Sequence, residues 1–121
     1  MQLIEDLNVF SNKINSYTKN SIVINDKLYT TSVIICPEQI FALGQIGLSS
    51  VSLEHILPIT NYKPDILLIG TQDNLVKFDN DIKAKLQTNN IGIEIMPRGS
   101  AARTYMALLS ESRSCCVMML N

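Results

Sequence analysis

Residues 91–120 read IGIEIMPRGSAARTYMALLSESRSCCVMML. An apolar run (91–96) breaks at a proline–arginine–glycine turn. A segment with apolar residues at helical spacing (100–113) follows, and a second apolar run (115–120) closes the stretch. Upstream, PDILLIG (64–70) is another continuous apolar run, and DNDIKAKLQTNN (79–90) carries Ile82 and Leu86 at i, i+4 spacing behind an acidic start suited to a helix N-terminus. Continuous apolar runs suit strands buried on both faces of a parallel sheet. SLEHILPI (52–59) is predicted as a short helix, with Ser52 as its cap, Leu53, Ile56 and Leu57 on its apolar face, and His55 turned to solvent. The second half therefore alternates α-β-α-β-α-β, which predicts parallel strands joined by right-handed crossovers.

The first half has a different rhythm. INSY (14–17) and SIVI (21–24) are short strand candidates joined by the polar TKN, and Asn25 to Lys27 supply a turn tolerant of positive φ. LYTTSVIIC (28–36) reads as one longer strand, rich in β-branched residues and stopped by Pro37. These make an antiparallel meander that either extends the main sheet or packs as a second small one. The expected fold is an α/β, three-layer single domain: a mixed sheet with an N-terminal antiparallel meander and C-terminal β-α-β-α-β crossovers. Residues 1–12 are expected to form an arm or short helix, and residues 13–121 the domain itself.

Composition narrows the function classes. The chain has 121 residues, 46% hydrophobic and 17% charged, with a net charge of −1. That is the profile of one globular domain, with no basic stripe for nucleic acid. The N-terminus has acidic residues where a signal peptide needs basic ones. The longest apolar runs are about six residues, far short of a membrane span. A cytoplasmic location is expected. Cys36, Cys115 and Cys116 form no C-x-x-C pair and make a poor disulfide framework, so they read as small buried hydrophobes. A thiol-redox role is the competing reading. His55 is the single histidine and has too few helpers in sequence to anchor a zinc site, and no metal or cofactor is expected.

Phosphate-binding loops, dinucleotide fingerprints and nucleophile elbows are missing from the sequence. What stands out is arginine placement. All three arginines, Arg98, Arg103 and Arg113, lie between residues 98 and 113, whereas the other seven basic residues are lysines. Open α/β sheets bind ligands at the carboxyl ends of their parallel strands. Here those ends are Gly70–Thr71–Gln72 and residues 96–100. Ser100 is read as the cap of the last helix, which puts Arg103 in its first turn and Arg98 just before it. Cations there oppose the helix dipole unless an anion sits in the turn. The plainer alternative is that these arginines face water. Tyr105 falls in the middle of the apolar stripe of Ala101, Ala102, Leu108 and Leu109, and is read as core with a hydroxyl that needs a partner. The predicted ligand- or partner-binding residues are Gly70, Thr71, Met96, Arg98, Gly99, Ser100, Arg103 and Thr104.

SVIICP, PDILLIGT, IGIEIMPRGSAARTYMALLSESR and the closing apolar strand, in that order, resemble a family of small α/β proteins that includes the animal mitochondrial respiratory complex I assembly factor 3. The resemblance runs from about Ile14 onward. Its most specific part is A-x-R-T-Y-x-x-L-x-x-E-x-R, matched by Ala101, Arg103, Thr104, Tyr105, Leu108, Glu111 and Arg113. It implies a three-layer domain and a function through protein–protein contact, in respiratory-complex biogenesis, without catalysis. Three positions depart from the family pattern: Arg98 stands where threonine is usual, Ala102 where cysteine is common, and Met106 where asparagine is usual. The alternative function is a small-anion-binding protein or an enzyme using the cleft around Thr71, Arg98, Ser100 and Arg103. Neither reading sets the oligomeric state.

Overall fold

A computed structural model of the chain describes residues 11–72 and 78–121. The arm expected at residues 1–12 therefore lies almost wholly outside the described residues. Three short strands, β1 (Ile14–Tyr17), β2 (Ile22–Ile24) and β3 (Lys27–Tyr29), form an antiparallel sheet in that order. The β2–β3 turn is made by Asn25 and Asp26, both at positive φ (52° and 66°), as a two-residue hairpin requires.

The second sheet has five strands. Its members are β4 (Ser32–Cys36), β5 (Gln39–Gly44), β6 (Ile66–Thr71), β7 (Gly92–Pro97) and β8 (Cys115–Met119), in the order β5-β4-β8-β6-β7. Strands β6, β7 and β8 run parallel, as the alternating second half predicts, and β4 and β5 join antiparallel beyond β8. The connecting helices are α1 (Leu57–Tyr62), α2 (Asn80–Thr88) and α3 (Arg98–Ser110).

Two apolar clusters show the layering. On one face of the large sheet, Ile34, Leu67, Ile69 and Met118 pack with Ile56, Ile59, Ile82 and Leu86 from the α1 and α2 side. On the other face, Val33, Ile35, Leu68 and Val117 pack with Ala101, Tyr105 and Leu109 of α3 and with Ile14, Ile22 and Ile24 of the small sheet. Both faces of β4, β6 and β8 are thus covered, which explains their unbroken apolar sequences. Strand β7 lies at the sheet edge, and its residues alternate between exposed Gly92 and Glu94 and half-buried Ile93 and Ile95.

Four expectations need correction. LYTTSVIIC is not one strand: the chain breaks at Thr30 and Thr31, so β3 belongs to the small sheet and β4 to the large one. The meander thus both forms a second sheet and extends the first. Pro37 and Glu38 turn a hairpin instead of ending the β-structure, and β5 follows. The helix predicted from Ser52 begins only at Leu57, without a side-chain cap and with Pro58 in its first turn. Leu53 and Leu57 are about half exposed while Ile56 and Ile59 are buried. His55 is half-buried rather than solvent-facing, its Nδ1 lying 2.9 Å from the Ser52 backbone N–H that donates to it. By contrast α2 starts where its acidic cluster indicates, with the Asp79 carboxylate accepting from the N–H groups of Asp81 (2.8 Å) and Ile82 (3.2 Å).

Candidate functional site

The carboxyl ends of β6 and β7 meet the N-terminus of α3, and the β1–β2 turn folds over the same spot. Helix α3 begins one residue after the proline: Pro97 is its N-cap, Arg98 its first residue, and no side chain caps it. Ser100 is therefore the third helical residue and not the cap, and Arg103 moves out of the first turn. Proline fixes the extended-to-helical transition by itself, since its ring presets φ and its missing N–H is not needed there.

Arg98 is buried, with 5% of its surface exposed, rather than facing water. Its Nη1 donates to the Leu120 carbonyl (3.0 Å) and to Asn121 Oδ1 (2.9 Å). Its Nη2 donates to the carbonyls of Thr18 (3.2 Å) and Ser21 (2.9 Å). The guanidinium thus ties the helix start to the β1–β2 turn and to the end of β8. Its Nε–H is buried and has no acceptor. Every acceptor is a neutral oxygen, and burial pulls the Arg98 pKa below its ordinary value.

Around it, the predicted site residues divide by role. Gly70 is a packing glycine: a Cβ there would stand 2.6 Å from Met119 Sδ, 2.9 Å from Ala101 Cβ and 3.2 Å from Arg98 Cα. Thr71 is buried at the end of β6. A Cβ on Gly99 would fall 2.6 Å from Tyr17 Oη and 3.2 Å from Arg103 Nη1, so its bareness lets the Tyr17 phenol lie against the first turn of the helix. Arg103 is exposed, and its Nη1 donates to Tyr17 Oη at 2.8 Å; Ser100 Oγ is 3.5 Å from its Nη2. Met96 and Thr104 are half-buried and face each other, the Thr104 hydroxyl 3.7 Å from Met96 Sδ. Arg98, Gly99, Ser100 and Arg103 therefore come together with Tyr17, whereas Met96 and Thr104 form a separate contact.

A pocket of about 210 Å³ opens beside this point, lined by Tyr17, Thr18, Lys19, Gln72 and Arg98. Gln72 Nε2 donates to the Lys19 carbonyl across it. Tyr17 and Lys19 are not legible as site residues in the sequence, because they reach the helix only through tertiary closure of the small sheet, whereas Gln72 follows a strand end that the sequence marks. For the first two the sole local signal is a glycine at the start of a helix. Asn121 is likewise recruited from a distance: its Nδ2 donates to the Thr30 carbonyl at 2.6 Å, and its backbone N–H to Ser32 Oγ at 2.9 Å. The Tyr105 hydroxyl finds its partner in the Asn12 carbonyl (2.8 Å). At the Met106 departure, the thioether sulfur lies 3.4 Å from the Ile14 N–H.

On the opposite face, an open groove of about 870 Å³ is lined by β7, the start of α2 and Leu48–Ser49. Leu48, Phe78, Ile93 and Ile95 give it apolar walls, with Asp79 and Lys83 among its polar lining. The three cysteines are free and buried. Among the described residues, no three His, Cys, Asp or Glu side chains converge on a metal position, and no helix is long and apolar enough to cross a membrane.

Against known proteins, a family model described as "Protein of unknown function (DUF498/DUF598)" matches residues 14–120. The chain is similar to NADH dehydrogenase (ubiquinone) 1 alpha subcomplex assembly factor 3 of Xenopus tropicalis, at 26% identity over 105 residues covering 83% of this chain and 56% of that protein. It thus spans little more than half the length of that relative. Among solved structures, it is similar to an outer membrane protein from Bartonella henselae, with a TM-score of 0.82 at 24% identity over 91% of this chain and 94% of the other. A protein of Xanthomonas campestris superposes with a TM-score of 0.81 at 24% identity, covering 99% of this chain and 92% of that one. A Bordetella pertussis protein, described as a Mth938-like domain, gives 0.78 at 19% identity over 90% and 85% of the two chains. At such identities these structures speak to the fold.

Proposed function

The chain belongs to the DUF498/DUF598 family of proteins of unknown function, and from its likeness to an assembly factor within a shared fold we propose that it is a non-enzymatic binding module. On this reading it acts by protein–protein contact in the biogenesis of a respiratory NADH dehydrogenase. The observation that carries the proposal is the 26% identity to the amphibian assembly factor, which extends over 83% of this chain.

Two structural features support it. The arginine at the carboxyl ends of the parallel strands donates four hydrogen bonds to the protein's own oxygens, so its guanidinium first of all shapes the surface. Among the described residues β7 is an edge strand whose half-buried Ile93 and Ile95 line an open groove, and a sheet edge beside apolar side chains suits contact with another chain. We propose a cytoplasmic setting, which three free cysteines support.

Chromosomal tagging at native level, followed by chemical cross-linking and mass spectrometry, tests this. Stoichiometric recovery of NADH dehydrogenase subunits or their assembly intermediates is expected, together with less assembled enzyme on native gels when the gene is deleted. No reproducible partner and an unchanged enzyme level would overturn the proposal. Fractionation of the same tagged cells checks the compartment.

A further inference from the structure

Strand β7 is an outer strand of the large sheet among the described residues, and its pairing with β6 shows which of its backbone groups are free. Gly92 donates its N–H to the Asp65 carbonyl, toward β6. Alternate residues of a strand direct both backbone groups to the same side. Gly92, Glu94 and Met96 therefore bond to β6, and Ile93 and Ile95 point their groups outward. The outward row stops at both ends: the Ile91 N–H is taken by the Leu86 carbonyl, and Pro97 has no N–H. What is left is the N–H and C=O of Ile93 and of Ile95, the strand residues whose side chains line the groove.

Charge decides what fits there. Glu94 stands between the two isoleucines on the other face of the strand, is exposed, and makes no ion pair among the described residues. A charge on an edge strand ordinarily blocks self-association, and this one does so by position. The antiparallel register that joins Ile93 of one copy to Ile95 of a second sets Glu94 against Glu94, and like charges directly opposite destabilise a strand pair. A basic residue in that place is favoured instead, because the pair at Glu94 is the closely spaced, non-hydrogen-bonded one. The residues on either side of that cation fall beside Ile93 and Ile95, on the face where Leu48 and Phe78 give apolar walls.

We propose that β7 takes an added antiparallel strand from a partner protein, an extended segment reading apolar–Lys/Arg–apolar with its central cation opposite Glu94. The backbone groups of Ile93 and Ile95 bond to that segment, and its apolar side chains extend the groove-facing layer. The proposal rests on the reading of this chain as a protein-contact module and names the kind of segment the module holds.

The test is selection of random peptides displayed on phage against the immobilised full chain and, in parallel, against its Glu94→Lys variant, which changes only an exposed side chain. The full chain is expected to enrich apolar–Lys/Arg–apolar segments, and the variant to exchange the central cation for Asp or Glu. Amide hydrogen exchange then locates the site. Ile93 and Ile95 should exchange faster than Glu94 and Met96 in the free chain, and should slow when the enriched peptide is added. That peptide should bind the Glu94→Lys variant at least about fivefold more weakly, as replacing an opposite-charge pair by a like-charge one requires. No enrichment, or a consensus that Glu94→Lys leaves unchanged, would overturn the proposal. So would slow exchange of Ile93 and Ile95 in the free chain, because a second copy or another segment of the chain would then already cover the edge. Enrichment without recovery of NADH dehydrogenase subunits from cells would remove the assembly reading and keep the strand site, and the converse result would do the reverse.

Discussion

Arg98 shows why a side chain's role is harder to read than its place in an element. Its position before a helix is legible in the sequence, but its acceptors, the carbonyls of Thr18, Ser21 and Leu120, are backbone groups that leave no signature there. Arg98→Met keeps the aliphatic stem and removes all four donated hydrogen bonds, although the Ser21 carbonyl still accepts from the Thr18 N–H. Urea unfolding is expected to show a loss of at least about 2 kcal/mol, with Arg98→Lys intermediate because one ammonium cannot span the same fork of acceptors. The cysteines are buried hydrophobes, as their apolar neighbours indicate, and burial has a titration consequence. It pushes the Cys115 thiol from 9.0 up to about 11, and the neighbouring Cys36 thiol together with burial also raises Cys116. An acid whose folded pKa is raised loses its proton first in the unfolded chain. The stabilisation from Cys115 is therefore complete below pH 9 and is lost as the pH climbs toward 11, at about 1.4 kcal/mol per pH unit. Unfolding free energies measured from about pH 8 to 11 should fall with rising pH, and Cys115→Ala should flatten that fall whatever its effect at the lower end. The slope that remains belongs to Cys116, Tyr62 and Tyr105, which burial raises in the same direction.

At the scale of elements, what can be read depends on whether the signal is local. The apolar runs of β6 and β8 and the Asp79-capped α2 carry their own signals, and each falls where periodicity or capping chemistry puts it. Elements decided by tertiary contact escape such a reading: β5 lies on the outer edge of the sheet with a mixed pattern, and α1 is a single turn and a half whose start is set by burial of Ile56 and Ile59. Gly70 shows how a site prediction and a packing fact occupy one position. Strand-end glycines admit ligands, but here the space is filled by Ala101 and the first residue of α3. Gly70→Ala should force that helix off the sheet, since the added methyl meets Ala101 Cβ at 2.9 Å and Arg98 Cα at 3.2 Å. Overpacking of this kind costs about 1–3 kcal/mol. The expected result is a lower urea midpoint with an unchanged slope; an unchanged midpoint would mean that α3 has slack against β6.

For the whole molecule, stability should be unevenly distributed. The small sheet has strands of three and four residues, too short to persist alone. It is held by burial of Ile14, Ile22 and Ile24 on α3 and by hydrogen bonds from Arg98 to Thr18 and Ser21, from Tyr105 to Asn12, and from Asn121 to Thr30. The large sheet instead buries β4, β8 and β6 between two layers. Sequence can supply both sheets but not their dependence, because the ties run between segments up to 101 residues apart. Native-state hydrogen exchange should separate the two units. Amides of Leu67, Ile69 and Val117 should exchange only through global unfolding, and those of Ile22 and Ile24 through undocking of the small sheet at lower free energy. Arg98→Met should then speed exchange at Ile22 and Ile24 by roughly 10-fold or more, as loss of about 1.4 kcal/mol or more from the docked state requires. Leu67 and Val117 should speed up by a similar factor, because the Arg98 hydrogen bonds are lost in global unfolding as well, so the gap between the two sets of exchange free energies should persist. Equal exchange free energies at all five amides would instead mean that the two sheets unfold as one.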